Sequence, residues 1–247
     1  MGGVPRWSVV IPAYNEAGRL PTYLKEIQAY FEGRDEPYEV IVVDDGSRDG
    51  TADRVREVAA GRPGVTVHAL DRNRGKGHAV RAGMARAVGE LRLMADADGA
   101  TPIAEVARLE AAVAAGADIA VGSRVLEDPA VVRQVRAHRQ LSGHVFNFLL
   151  RRLGVAPVLD TQCGFKLFRG AVATALFPHV ARDGFGFDVE LLMLARRRGF
   201  RVTEVAVNWA DQPGSKVRVL RDGPRMLYEV LAARRRLAGR PPGGPGA

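Results

Sequence analysis

Short apolar runs rich in β-branched residues alternate, through the first half of the chain, with stretches whose apolar positions recur every three or four residues. Residues 8–11, 39–43, 65–69, 91–95 and 119–121 read as buried strands, and 16–31, 51–59, 77–88 and 102–115 as helices packed by one face. This strand–helix series predicts an α/β fold, with crossover connections making a mostly parallel sheet flanked by helices. In such sheets ligands bind beyond the carboxyl ends of the strands. The polar clusters at 12–16, 44–51 and 96–101 each follow a strand, so they are predicted to meet at one sheet edge.

The second half is less regular. Residues 131–153 predict a helix whose apolar stripe (Leu141, Val145, Phe148, Leu149, Leu153) is bordered by arginines. Strands are predicted at 165–168 and 202–207, with a helix over 187–198 between them. A last helix is predicted to open with Pro224 in its first turn and to carry Met226, Leu227, Val230 and Leu231 on one side. The Pro/Gly-rich end, 239–247, predicts a disordered tail.

Composition narrows the classes. With 247 residues, 47% hydrophobic and 26% charged, the chain has an ordinary globular balance. Its single cysteine, Cys163, excludes an intrachain disulfide and a cysteine-built zinc site, which fits a reducing cytosol. The first apolar stretch, 9–13, is too short for a signal-peptide core. No uncharged apolar run approaches the roughly 18 residues of a membrane span. The net charge of +8 is concentrated late: between 216 and 240 eight Lys/Arg face only Asp222 and Glu229. Such a run suits anionic lipid, nucleic acid or a solvated helix face. Nucleic acid is disfavoured, because aromatics make up only 6% and the carboxylate clusters would repel phosphate.

The chemistry concentrates in Asp96-Ala97-Asp98, directly behind the run 91–95. Two carboxylates spaced i and i+2 at a strand end can converge on a hard cation, Mg²⁺ or Mn²⁺, which shares its remaining positions with waters and substrate phosphates. The alternative is a turn closed by an Asx hydrogen bond or a helix cap. Asp44-Asp45-Gly46-Ser47 ends another strand. There a carboxylate could accept the imide N–H of a uracil or the N–H groups of a guanine, with Pro12 or Tyr14 near the base, or simply support the turn. Arg74-Gly75-Lys76-Gly77 places basic side chains on a loop entering a helix whose N-terminus favours anions, without P-loop spacing. Lys76 is either a donor contact or part of a surface turn. Cys163 reads as a small buried residue rather than a nucleophile.

The segments SVVIPAYNE (8–16), VIVVDDGSRDGT (40–51), NRGKGHAVRAGM (73–84) and LMADADGATP (93–102) resemble the successive signatures of family 2 inverting glycosyltransferases with the GT-A fold. Gly122-Ser123-Arg124, DTQCGFKLF (160–168), GFDVELL (186–192) and NWADQPGSKV (208–217) are similar to dolichyl-phosphate β-glucosyltransferases and related polyprenyl-phosphate glycosyltransferases. The resemblance implies one GT-A domain over 1–238, with a nucleotide-sugar half at 7–121 and an acceptor half at 122–238. It makes Asp96 and Asp98 the metal and pyrophosphate ligands, with Pro12, Tyr14, Glu16, Asp44, Asp45 and Lys76 on the donor. Lys216 would reach the donor phosphates. Arg124, with Arg136 or Arg139, would hold the acceptor phosphate. Asp160, Gln162 and Lys166 could shape the acceptor side, or form a turn entering a strand.

The implied reaction moves glucose from UDP-glucose to a polyprenyl or dolichyl phosphate, with Asp98, Asp188, Arg124 and Lys216 carrying the catalysis. Mannosyl relatives use GDP-mannose, and a soluble hydroxyl acceptor would instead need Asp188 or Glu190 as a base. Eukaryotic members of this group carry an N-terminal membrane anchor, whereas here little precedes the first strand. Membrane contact is therefore expected through the arginine-bordered helices, giving a cytoplasmic protein held peripherally on the cytoplasmic face. A donor-binding but inactive regulatory protein is a further alternative.

Overall fold

The structure, a computed structural model, describes residues 4–60, 64–134, 158–212 and 219–238. The anticipated tail at 239–247, most of the anticipated helix over 131–153, and the site candidates Arg136, Arg139 and Lys216 lie outside these residues.

The elements run β1 (Trp7–Ala13), α1 (Leu20–Glu32), β2 (Tyr38–Asp44), α2 (Thr51–Ala59), β3 (Val65–Ala69), α3 (Lys76–Met84), β4 (Leu91–Ala95), α4 (Val106–Ala114) and β5 (Ile119–Ser123). They continue with β6 (Arg133–Gln134), β7 (Phe165–Arg169), α5 (Gly170–Leu176), α6 (Phe187–Arg197), β8 (Val202–Ala206), β9 (Trp209–Ala210) and α7 (Val219–Ala238). Seven strands form one sheet in the order β3-β2-β1-β4-β7-β5-β8, while β6 and β9 make a separate parallel pair. Within the large sheet only β7 is antiparallel, to both β4 and β5.

The period of two in β1 explains the two cores. Val9 and Ile11 point to the face covered by α1 and α4, where they join Leu24, Phe31, Val106 and Leu109. Val10 points to the opposite face and joins Val80, Met84, Phe168, Phe187 and Leu191 from α3, β7 and α6. A strand buried on both faces is apolar at nearly every position: all seven residues of β1 are buried, and its one polar residue, Ser8, donates its hydroxyl to Glu39 Oε1. Truncating Phe31, fully buried against Trp7 and Tyr38, would cost about 3–5 kcal/mol.

Four differences from the sequence expectation have physical reasons. Helix α1 starts at Leu20 rather than residue 16, because Asn15 takes a positive φ of 53° and residues 17–19 complete a turn. Val131 and Val132 are not helical, and Arg133–Gln134 pairs with Trp209–Ala210, so the helix expected over 131–153 does not begin there. Pro224 lies in the second turn of α7, which begins five residues earlier than expected. Helix α5 was not anticipated, since GAVATAL offers no polar face to mark a helical period.

Candidate active site

The carboxyl ends of β1, β2 and β4 lie side by side, because β1 pairs in parallel with β2 on one side and β4 on the other. The antiparallel register of β7, Phe165 opposite Ala95, brings residues 160–164 to the same edge. Strand β5 adds Ser123 and Arg124 there, since Val121 sits opposite Lys166.

The first two strand ends are sewn together by backbone hydrogen bonds. Asn15 N–H donates to Ser47 Oγ (2.8 Å), Glu16 N–H to Thr51 Oγ1 (2.8 Å) and Arg48 N–H to Asn15 Oδ1 (2.9 Å). Asp44 Oδ1 accepts from Ser47 N–H at 3.0 Å and so supports the turn. Asp45 accepts from the N–H groups of Arg74 (2.7 Å) and Gly75 (2.8 Å), fixing the loop that leads to Lys76. Burial raises the Asp45 carboxyl, and the two N–H donors offset this only in part. A cleft of about 490 Å³ opens beside these turns, with Tyr14, Asp44, Ser47, Leu70 and Asn73 among its walls. Pro12 is buried in β1. Glu16 is buried and takes a two-point contact from Arg19, Nη2 to Oε1 at 2.6 Å and Nε to Oε2 at 2.7 Å.

The β4 end is built differently. Asp96, with 38% of its side chain exposed, holds the Lys76 ammonium at 2.6 Å. Lys76 is therefore no surface turn residue; only 18% of its side chain is exposed. Burial opposes charge on Asp96, but Lys76, with Lys166 and Arg124 behind it, prevails and holds this carboxyl below its ordinary range. Burial likewise works against the Lys76 charge, while Asp96, Asp188 and Asp98 hold the ammonium above its usual value. Asp98 goes the other way: burial and the neighbouring Asp96 charge raise it. Its Oδ1 accepts Ala100 N–H at 3.1 Å, and its Oδ2 has no hydrogen-bond partner among the described residues.

Two hard-oxygen carboxylates forced together and already drawing an ammonium form a donor set that fits Mg²⁺ or Mn²⁺. Among the described residues no group of three or more His, Cys, Asp or Glu is arranged to hold a metal, so these two carboxylates would supply only part of an ion's shell.

Just past β5, Arg124 grips the buried Asp160 with Nε (2.7 Å), Nη2 (2.8 Å) and its backbone N–H (3.0 Å). Its guanidinium also lies 5.7 Å from the Trp209 ring centre. Burial opposes both charges, yet each partner stabilises the other, lowering Asp160 and raising Arg124. Ala210 N–H donates to Ala100 O at 2.9 Å, which ties the segment leading toward residue 213 to the Asp98 turn. Gln162 is partly buried in this region.

The expected roles of Lys166 and Asp188 need correction. Lys166 is fully buried; its Nζ donates to Asp188 Oδ1 (2.5 Å) and Cys163 O (2.6 Å), so it is not an acceptor-facing cation. Asp188, 2% exposed in the first turn of α6, is closed by that ammonium and is not poised as a base. Glu190 is structural, accepting the Ala181 and Arg182 N–H groups and pairing with Arg236 at 2.5 Å. Cys163 is buried, its thiol pushed up to about 12 by burial and the Asp160 charge, and carries no nucleophile.

Asp160 was expected on its own account, not as the partner of Arg124; Trp209 beside that pair, and Arg19, whose charge feels Asp98 and Asp96, were not anticipated. Nor was Gly164. A Cβ there would fall 2.0 Å from Asp96 Oδ2, so any larger residue would displace that carboxylate.

Residues 8–177 match the model of Glycosyl transferase family 2. Dolichyl-phosphate beta-glucosyltransferase of Drosophila melanogaster is 42% identical over 224 residues, covering 85% of this chain and 68% of that protein. The Homo sapiens protein of that name is 41% identical over 223 residues, with coverages of 85% and 69%. The Saccharomyces cerevisiae one is 32% identical over 246 residues, with 92% and 73%. Among solved structures, glucosyl-3-phosphoglycerate synthase from Mycobacterium tuberculosis in complex with Mn²⁺ and UDP-glucose aligns with a TM-score of 0.70. Its sequence is 21% identical, over 96% of this chain and 80% of that one. Mannosyl-3-phosphoglycerate synthase from Rubrobacter xylanophilus gives 0.67 at 20% identity, over 94% and 74%. These two likenesses speak to the fold alone.

Proposed function

The chain belongs to glycosyl transferase family 2, and from that premise we propose that it moves glucose from UDP-glucose to a polyprenyl or dolichyl phosphate. The transfer inverts C1 and leaves a β-linked lipid-phosphate sugar. One observation carries this most: Asp96 and Asp98 stand at a single sheet edge between the Tyr14–Ser47 cleft and Arg124. The donor's uridine would occupy the cleft, with Pro12, Tyr14, Glu16 and Asp45 around it, and its diphosphate would reach Asp96 and Asp98. The relatives named above support the lipid phosphate as acceptor.

Mg²⁺ or Mn²⁺ held by Asp96 and Asp98 would supply Lewis-acid stabilisation of the departing diphosphate. Lys76, and Lys216 from the 213–218 segment, would add positive charge to the same oxygens. Arg124, fixed by Asp160, would position the acceptor phosphate. A phosphate monoester has its second pKa at about 6, so it attacks already ionised and needs no base. A hydroxyl acceptor would need one, and the anticipated base, Asp188, is occupied by Lys166. That contrast favours the phosphate acceptor.

Membrane contact would come from α7. Its inward face buries Met226, Val230, Ala233 and Leu237, while its outward face exposes Tyr228 (69%) and Leu231 (38%) beside Arg225, Arg234 and Arg235. This pairing of apolar and cationic side chains suits an anionic interface and supports peripheral attachment, which we propose is to the cytoplasmic face. No helix among the described residues is long and apolar enough to cross a membrane.

The test is transfer by purified protein, with Mg²⁺ or Mn²⁺ and polyprenyl phosphate, from UDP-glucose, UDP-galactose and GDP-mannose in parallel. Lipid-extractable glucose from UDP-glucose alone is expected. Mannose transfer without glucose transfer would replace the donor assignment, and product only on a soluble acceptor would replace the lipid.

A further inference from the structure

The Lys76–Asp96 contact joins a cation to the very carboxylate that a divalent metal would use. Lys76 is the first residue of α3, and the backbone around it is held from two sides. Asp45 takes the N–H groups of Arg74 and Gly75, while Asp183 O takes that of Gly77 at 2.7 Å. The loop therefore stays in place and only the four-carbon side chain can move. Around its ammonium stand Asp96, Asp98 and Asp188, the last already neutralised by Lys166. The glycine at 164 leaves room beside this carboxylate, and one of its two oxygens, Oδ1, is the atom Lys76 occupies.

Resting on the metal assignment above, we infer that Lys76 is a resident cation of the Asp96–Asp98 pair. In the donor-free protein it occupies Asp96 and keeps the divalent ion from binding tightly. When a nucleoside diphosphate enters with its metal, the ammonium leaves Asp96 for the diphosphate oxygens, and metal and donor consequently bind as one unit. A dication entering alone would have to displace the ammonium from Asp96 or bind beside it. With the diphosphate present, the same ammonium gains a new anionic partner.

The test measures Mn²⁺ binding from the electron paramagnetic resonance signal of the free ion, with and without UDP. The proteins compared are wild type, Lys76→Met, Lys76→Gln, Lys76→Arg and Asp98→Asn. Removing a unit charge within a few ångströms of the ion should tighten Mn²⁺ binding without UDP by about tenfold or more in Lys76→Met and Lys76→Gln. In both, the gain on adding UDP should shrink, while Lys76→Arg should stay near wild type. Unchanged or weaker Mn²⁺ binding in both neutral variants, with Asp98→Asn still abolishing it, would overturn the inference alone. Mn²⁺ binding retained in Asp98→Asn would overturn the metal assignment and the inference with it.

Discussion

The two strand ends that flank β1 each carry a pair of aspartates, and the protein uses them in opposite ways. At the end of β2, Asp44 and Asp45 spend their hydrogen bonds on backbone N–H groups of Ser47, Arg74 and Gly75. Those bonds bind two loops into a fixed wall, and Gly46, at φ +68°, lets the loops touch; a Cβ there would meet Arg72 C at 2.4 Å. At the end of β4, Asp96 is met by a side-chain ammonium and Asp98 by one turn N–H. Backbone donors cannot leave without unfolding the loop, whereas an ammonium can be exchanged for another cation. The first pair is thus scaffold and the second is available for chemistry.

Substitutions should separate the two pairs by kind of damage. The largest effect is expected from Asp98→Asn, which should lower kcat roughly 10²–10³-fold while leaving thermal stability near wild type. Gly164→Ala comes next. Its methyl would push Asp96 aside, and a misplacement of that size should cost about 10²-fold in kcat/KM. Asp45→Ala should reverse the pattern: about 1–3 kcal/mol lost in urea unfolding, from N–H groups left without an acceptor, and a raised KM for the donor. Asp160 offers a pH comparison away from both pairs. Its folded pKa is lowered, so its contribution is fully present above the unfolded value of about 3.9 and is lost as pH falls through the lower folded value. The stability gap between wild type and Asp160→Asn should therefore narrow below about pH 4. The smallest effect is expected from Ser47→Ala, about 1 kcal/mol for the bond from Asn15 N–H.

The first half of the chain was legible because β1, β2, β4 and β5 are largely buried and its helices bury one face, so period and β-branching mark them directly; β3, read as buried, is instead a half-exposed edge strand that its β-branched residues still reveal. Strand ends then placed Asp44, Asp45, Asp96 and Asp98 together without further information. Pairing direction leaves no trace in periodicity, so the insertion of β7 antiparallel between β4 and β5 was not foreseen. The same blindness hid Gly164 against Asp96 and Asp160 beneath Arg124, since both contacts are created by that insertion. Lys166 and Asp188 looked like acceptor-side chemistry because they are charged residues in motif segments. Nothing local shows that two charges 22 residues apart neutralise each other in the core. Asn15 escaped notice for a related reason: its positive φ depends on contacts with Ser47 and Arg48, over thirty residues away.

The difference between the two aspartate pairs is most directly tested by calorimetric titration of UDP with Mn²⁺ present and with the metal chelated, in wild type, Asp98→Asn and Asp45→Asn. Mn²⁺ should tighten UDP binding at least about tenfold in wild type. That gain should vanish in Asp98→Asn and survive in Asp45→Asn, even if overall affinity there falls. Equal UDP affinity with and without Mn²⁺ in the wild-type protein, or a gain lost equally in both variants, would contradict the division of labour described here.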